Sequence, residues 1–356
     1  MYSTKLRVNI VGAGLAGIIT GLRLAYEGFK PVVFDKQKEL RDATSSGAVS
    51  FNSLHKLYLE TGFDSTRYKL NDVKGMRVIY PGGGIVTLRK SAYTMDRTRW
   101  LRGLADEFVK LGGDLELGVK VNPQDLKSDV LVGADGPASI IRRYIGGEVQ
   151  INTPFEYVVE SEPKQEWLYF YPDKEFSSGY AWIFPMDGDL VLGLDKGFVS
   201  LDKWKEKVGV QGEPIRRAAR VEAYNGTKYQ EGNIVLIGDA AGQANPFTRG
   251  GITPIIHASR VLVDCIKDGE LDQYKSMVRA HPAFSPVFAE ANRVWQGLTN
   301  RDLEFIGEVC DGLQLPDSAG LMEVAIRLPK ALRRPRMLRR LVVLDRAFRQ
   351  AYDWSL

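Results

Sequence analysis

At 356 residues the chain exceeds the usual size of one hydrophobic core, so two or three subdomains sharing a site are expected. Hydrophobic content of 44% with 26% charged residues is that of an ordinary globular protein, and a net charge of +4 is too mild to suggest a nucleic-acid partner. No apolar run approaches the roughly 18–20 residues that span a bilayer.

The chain opens as strand (6–11), glycine turn (12–17), helix (18–28) and strand (31–35). A strand so near the first residue leaves no room for a signal peptide, and a cytoplasmic monomer is expected. Gly12-Ala13-Gly14-Leu15-Ala16-Gly17 is G-x-G-x-x-G placed directly after a strand. Gly12 permits the tight turn, Gly14 lets backbone approach a pyrophosphate, and Gly17 lets helix and strand pack. The helix start offers free N–H donors and positive partial charge to phosphates. Asp35, with Lys36 beside it, ends the second strand where a carboxylate can take both ribose hydroxyls. The unit reads as an ADP-binding fold and does not by itself separate FAD from NAD.

Residues 46–90 change character, with Pro81-Gly82-Gly83-Gly84 turning between strand-like segments 76–80 and 85–88. Residues 97–112 regain helical period, with Trp100, Leu101, Leu104, Phe108 and Leu111 on one face. A strand at 129–132 follows, then an antiparallel region over 151–200 with strands 167–171, 180–184 and 190–194. A buried strand at 234–237 leads into an apolar helix from about 251 to 265, and the chain from about 271 is mostly helical. The expected class is α/β with α+β insertions. A Rossmann-like nucleotide domain (1–45, 91–148, 225–270) carries an inserted antiparallel substrate sheet (46–90, 149–224) and a helical region (271–356).

Two further motifs each end a strand, where open α/β sheets bind ligands. One is Val132-Gly133-Ala134-Asp135-Gly136-Pro137, with Arg142 after it. The other is Ile237-Gly238-Asp239-Ala240-Ala241-Gly242, leading to Asn245-Pro246 and Gly250-Gly251-Ile252. With the glycine loop, this combination resembles the flavoproteins that include the aromatic hydroxylases and the prenyl reductases. The resemblance implies FAD, with Gly238 and Asp239 at the ribityl chain. Gly250, Gly251 and Ile252 would bring N–H groups to the flavin N1–C2=O edge. Arg97, opening a helix, would contact the cofactor or else be a solvated helix start. Asp135 would shape the flavin loop or cap the next helix.

In Gly179-Tyr180-Ala181-Trp182-Ile183-Phe184-Pro185, strand alternation puts Tyr180, Trp182 and Phe184 on one face and Ala181 and Ile183 on the other. Such a ladder is either core between two sheets or the wall of an apolar pocket. The Tyr-x-Trp-x-Phe-Pro pattern, with Gly238-Asp-Ala-Ala-Gly-x-x-Asn-Pro-x-Thr-x-Gly-Gly-Ile, resembles the geranylgeranyl reductase family over roughly residues 5–265. That resemblance implies reduction of C=C bonds in polyprenyl chains of lipids or quinones by hydride from reduced flavin. Tyr180, Trp182 and Phe184 would line the chain pocket, the first two beside the chemistry.

Many members of the family carry Cys-Gly near the flavin, where this chain has Ser46-Gly47. A serine hydroxyl is a far poorer acid than a thiol, so Ser46, water and Tyr180 all stand as candidate proton sources. His55 lies near that stretch in sequence and reads equally as an exposed helix position, His257 reads as a core histidine and His281 as a loop residue, with no metal site or nucleophile triad among them. Cys265 and Cys310 could pair, but buried free thiols are the expectation. No second complete glycine fingerprint is present, which leaves transient NAD(P)H and ferredoxin both open as reductants. On the same fold, an aromatic monooxygenase, an electron-transfer module to a quinone and a non-catalytic flavin protein are the rival readings.

From Arg327 to Arg349 nine Lys or Arg residues face one acid, Asp345. After Pro335, residues Met337, Leu341, Leu344, Phe348 and Tyr352 fall along one side of a helix. Such a helix either lies on an anionic membrane or packs on the protein with a solvated basic face.

Overall fold

The computed structural model describes residues 6–41, 47–160, 165–195, 197–315, 327 and 329–354. Its first sheet has six strands in the order 230–231, 234–236, 130–133, 8–11, 32–35, 114–117, all parallel except the 230–231 edge. Its central strands Val8–Val11 and Val130–Gly133 are buried throughout, the near-continuous apolar reading of a sheet covered on both faces. Val8, Ile10, Val130 and Val132 face a core formed with helices Leu15–Tyr26, Arg97–Lys110 and Ile252–Asp268. Val11, Leu131 and Leu236 face the opposite side, where Ile141 and Ile145 cover them.

The Arg97–Lys110 helix is held by Leu104 and Phe108, both fully buried and each contributing about 1.5–3 kcal/mol by leaving water. The expected stripe ends earlier than its periodicity suggested. Leu111 is the C-cap, where the backbone leaves the helix, and it is exposed.

The second sheet has nine strands built around a long hairpin, Lys69–Ile79 with Ile85–Met95. Both arms run well beyond the segments expected from their apolar residues. Most of its pairs are antiparallel, but two are not. Leu168–Tyr171 runs parallel to Lys69–Ile79, and Gln314–Leu315 runs parallel to Ile85–Met95. Parallel partners need a long crossover, and here each returns only after many intervening elements. The second pairing draws the mostly helical region beyond residue 271 into the sheet.

Within the segment expected to be β-rich lies a helix, Phe51–Thr61, whose start is capped by Ser50. Arg23 explains its position: buried in the Leu15–Tyr26 helix, it pairs with Glu60 and donates to the Ile256 carbonyl at 2.6 Å. One guanidinium thereby ties three helices.

Helix Pro335–Trp354 buries Met337, Leu344, Ala347 and Ala351, and Phe348 packs edge-on to Phe247 with ring centroids 4.9 Å apart. Its apolar side is therefore committed to the protein. Arg336, Arg339 and Arg346 face solvent, whereas Arg349 pairs with Asp345 at 2.8 Å. Among the described residues no helix is long and apolar enough to cross a membrane.

Candidate active site

The C-terminal ends of the parallel strands open onto a cavity of about 820 Å³, within the range of sites that hold whole cofactors. At one end lies the glycine loop. Gly12 has φ +109°, and a Cβ there would sit 2.4 Å from the Ala134 carbonyl oxygen; a Cβ on Gly17 would sit 1.9 Å from the Gly12 oxygen. Both positions exclude any side chain. Gly14 differs, because a Cβ there would meet nothing within 4 Å. It faces the cavity and begins helix Leu15–Tyr26 with no side-chain cap, leaving backbone donors for a phosphate. Asp35 accepts from the Ala13 N–H at 2.7 Å and the Gln37 N–H at 2.8 Å, which fixes its carboxylate at the cavity wall beside Lys36.

The middle of the cavity is set by the other two strand-end loops. Asp135 lies in the wall, but its oxygens are engaged: Ser139 Oγ donates at 2.5 Å and the Ile140 N–H at 2.6 Å. It takes the first N–H of helix Ile140–Tyr144, whose N-cap is Ser139, so its contribution to the site is to shape the loop. Arg142, 6% exposed, donates to the carbonyls of Pro137 at 2.6 Å, Ala240 at 3.1 Å and Asp239 at 3.4 Å. It fastens the Asp135 loop to the Asp239 loop. Gly238 (φ +64°) turns the strand end so that Asp239 reaches the wall, where Arg97 from the start of its helix also lies.

Asn245 shapes the approach to the Ile252–Asp268 helix. Its Oδ1 accepts from the Phe247 and Thr248 N–H groups at 2.8 and 3.0 Å, and its own N–H donates to the Gly250 carbonyl. Gly250, Gly251 and Ile252 line a second cavity of about 100 Å³. Its apolar wall is built by Met76, Leu168, Phe170, Trp182 and Phe184, with Tyr180 beside them.

The alternation expected over residues 180–184 is present, for Ala181 and Ile183 belong to the separate cluster behind the sheet. Phe170 packs edge-on to both Tyr180 and Phe184, at 5.0 and 5.2 Å. The ladder is thus core and cavity wall at once: Trp182 and Phe184 are buried in the cluster that closes the pocket. Tyr180 donates its hydroxyl to the Thr248 carbonyl at 2.5 Å, and burial pushes its phenol above its ordinary value.

Ser46 lies outside the described residues, and Gly47 next to it lines the second cavity. His55 is exposed and stacked on Phe51, whereas His257 and His281 pack against each other with ring centroids 4.7 Å apart. Cys265 and Cys310 are both free thiols.

Five residues line both cavities: Arg220, Glu222, Arg249, Gly251 and Ile252. The three charged ones escaped the sequence reading. Arg220 lies between Glu156 (3.7 Å) and Glu222 (3.4 Å), and both carboxylates are buried. Arg249 is 8% exposed, stacks on Tyr224 at 4.1 Å and holds φ +58°. An arginine inside a glycine-rich loop, between Thr248 and Gly250, was the one signal available in the sequence.

No family model matches the chain. Among curated relatives it is similar to digeranylgeranylglycerophospholipid reductase 2 of Methanococcoides burtonii, at 25% identity over 77% of this chain and 80% of that one. The namesake from Methanosphaera stadtmanae is 22% identical over 91% of this chain and 97% of its own. Among solved structures, a geranylgeranyl bacteriochlorophyll reductase-like protein from Thermoplasma acidophilum superposes with TM-score 0.76, at 18% identity over 91% of this chain and 95% of that one. The chain is thus similar to geranylgeranyl-type reductases in sequence and shares their fold.

This similarity implies FAD, and the donor set fits it. An open glycine at a helix start, a fixed strand-end carboxylate and a long cavity follow one another in the order that an ADP moiety and a flavin require. An ADP half at Gly14 and Asp35 would put the flavin ring at the far end, where the two cavities meet. A probable FAD-dependent monooxygenase from Pseudomonas aeruginosa shares the fold at TM-score 0.64 and 19% identity, over 84% of this chain and 96% of that one.

Proposed function

We propose that this flavoprotein reduces isolated C=C bonds in polyprenyl chains carried by lipids. The observation that carries the reading is the junction: an aromatic and aliphatic cavity opens onto the end of the FAD cavity that the ring would occupy. The printed names of its relatives, reductases of digeranylgeranylglycerophospholipids, support the same substrate class. Met76, Leu168, Phe170, Trp182 and Phe184 give the second cavity an apolar wall suited to a prenyl chain, with the charged Arg220, Glu222 and Arg249 at the side shared with the FAD cavity.

Reduced FAD supplies hydride when bound. The chain's own residues do the rest. Gly12, Gly14, Gly17 and Asp35 hold the ADP half, with Lys36 and Arg97 in the same wall. Gly238 and Asp239 hold the middle, fastened to the Asp135 loop by Arg142. Gly250, Gly251 and Ile252 present the helix start to the ring. Tyr180, Trp182 and Phe184 align an apolar chain and exclude water from the ring. Arg336, Arg339 and Arg346 on the outward side of the 335–354 helix would draw the enzyme to an anionic membrane surface that carries such lipids.

The test is anaerobic incubation of the dithionite-reduced holoprotein with a digeranylgeranylglycerophospholipid in mixed micelles. Chemical reduction bypasses the choice between NAD(P)H and ferredoxin as donor. Mass spectrometry should show the lipid gaining two hydrogens per bond. An unchanged lipid would overturn the reading.

A further inference from the structure

Saturating a C=C bond takes a proton as well as a hydride. The described residues lining the substrate cavity include four titratable side chains: Tyr180, Arg220, Glu222 and Arg249. The two arginines remain charged at any working pH. Tyr180 already donates its hydrogen to Thr248 at 2.5 Å, and burial makes it a weaker acid still. Glu222 is the remaining acid, and it lines both cavities.

We propose, resting on the prenyl-reductase reading above, that the Glu222 carboxyl is the proton donor to the alkene. Hydride from the reduced flavin adds to one alkene carbon and the Glu222 proton to its neighbour. The π bond is lost, two C–H bonds form, the flavin is left oxidised and Glu222 is left as carboxylate, to be reprotonated from solvent between turnovers.

The surroundings of Glu222 suit a stored proton. It is 4% exposed, on the short strand Glu222–Tyr224, opposite Asn152. Arg220 lies between it and Glu156, so two buried carboxylates share one guanidinium. Such a group relieves its excess negative charge by keeping one proton. Arg249 and Asn152 favour the carboxylate and Asp239 opposes it. Tyr180 faces the cluster as a neutral phenol. Burial is the largest influence, and the Glu222 carboxyl lies above its ordinary value. Arg220, fixed between the two acids, acts as a positioning residue.

The experiment compares wild type, Glu222→Gln and Glu222→Asp as FAD-loaded full chains. Each is reduced with dithionite and mixed anaerobically with the same digeranylgeranylglycerophospholipid micelles. Glu222→Gln keeps the side-chain volume, so the flavin spectrum and lipid binding should be unchanged. Flavin reoxidation should slow by about 100-fold or more, the usual weight of a general acid, with Glu222→Asp recovering part of the rate. The wild-type rate should fall as pH rises through the Glu222 titration, and the Gln variant should be flat. Infrared difference spectra should show a protonated carboxylic acid at neutral pH that Glu222→Gln abolishes. A Gln variant with wild-type rate and pH profile would assign the proton to another source, water, Ser46 or Tyr180, and overturn the proposal. So would absence of the infrared band, whatever the lipid does. A wild-type enzyme that leaves the lipid unchanged, with the band present, would instead sink the prenyl-reductase reading and this role with it.

Discussion

Trp182 lies flat against Gly193, its directly opposed partner across the antiparallel pair, so that a Cβ on Gly193 would sit 1.9 Å from the indole. The indole occupies space that any other residue at position 193 would fill. Gly193→Ala should therefore tilt Trp182 into the substrate cavity. Overpacking of this kind costs about 1–3 kcal/mol, read as a lower Tm with FAD content unchanged and a loss of lipid reduction. Pairing it with Trp182→Phe should restore part of the stability, because the two positions couple directly. Independent, additive losses in the double variant would disprove the contact as the cause.

The glycine loop makes a sharper separation between folding and binding. Gly14 faces open space and Gly12 does not. Gly14→Val should cost the apo protein about 1 kcal/mol at most, the scale of an altered helix cap. It should weaken FAD at least about tenfold, or 1.4 kcal/mol, by filling the place of the pyrophosphate. Gly12→Val should lose both, since its φ of +109° and the Ala134 carbonyl forbid the side chain. Thermal unfolding of the apo proteins, set beside flavin titration, distinguishes the two patterns.

Arg142 offers a test of the cofactor site that touches no part of the cavity lining. Its side chain joins Pro137, Asp239 and Ala240 by donating to their carbonyls. Arg142→Ala leaves buried acceptors unmatched, at about 1–3 kcal/mol, and frees the Asp239 loop from the Asp135 loop. FAD affinity should fall, and its fluorescence should become less quenched as the middle of the cavity loosens. An unchanged FAD titration would show that the two loops hold their places without it.

What was legible in the sequence is what backbone geometry dictates locally. Gly12 and Gly17 leave no room for a side chain, and the period of a strand assigned Tyr180, Trp182 and Phe184 to one face. The Glu156–Arg220–Glu222 cluster was not legible, because Glu156, on strand Pro154–Glu160, meets the local pair Arg220 and Glu222 only through tertiary pairing. Helix Phe51–Thr61 was legible only at His55, whose position could be read as helical, and not as an element. Its buried stripe is short, Ser53, Leu54, Leu57 and Thr61, and part of its anchorage is Arg23, some 30 residues upstream. Asp135 was legible as a motif residue, but its engagement as a helix cap depends on Ser139 and Ile140 taking up the turn.

His257 makes the stability of the fold depend on pH. It is buried against His281 and Trp354, and burial, followed by the charge of Lys56 and the neighbouring His281, lowers its pKa to about 3. Lys90 and Arg23 act in the same direction. The pKa of His281 is lowered too, by burial and by Lys56. Both rings are neutral in the folded protein, whereas in the unfolded chain a histidine takes up a proton below about pH 6.5. The unfolded state therefore binds more protons as pH falls. The stability these groups contribute is fully present above about pH 6.5 and is lost on the way down towards the folded values, at up to about 1.4 kcal/mol per pH unit for each proton. Tm measured from pH 7.5 to 4.5 should fall steadily, with the carboxylates adding their own losses at the acid end. His257→Phe keeps an aromatic ring in the cluster and cannot titrate, so its Tm should fall less steeply between pH 6.5 and 5. Parallel Tm curves for the two proteins over that window would show that His257 is not the group responsible.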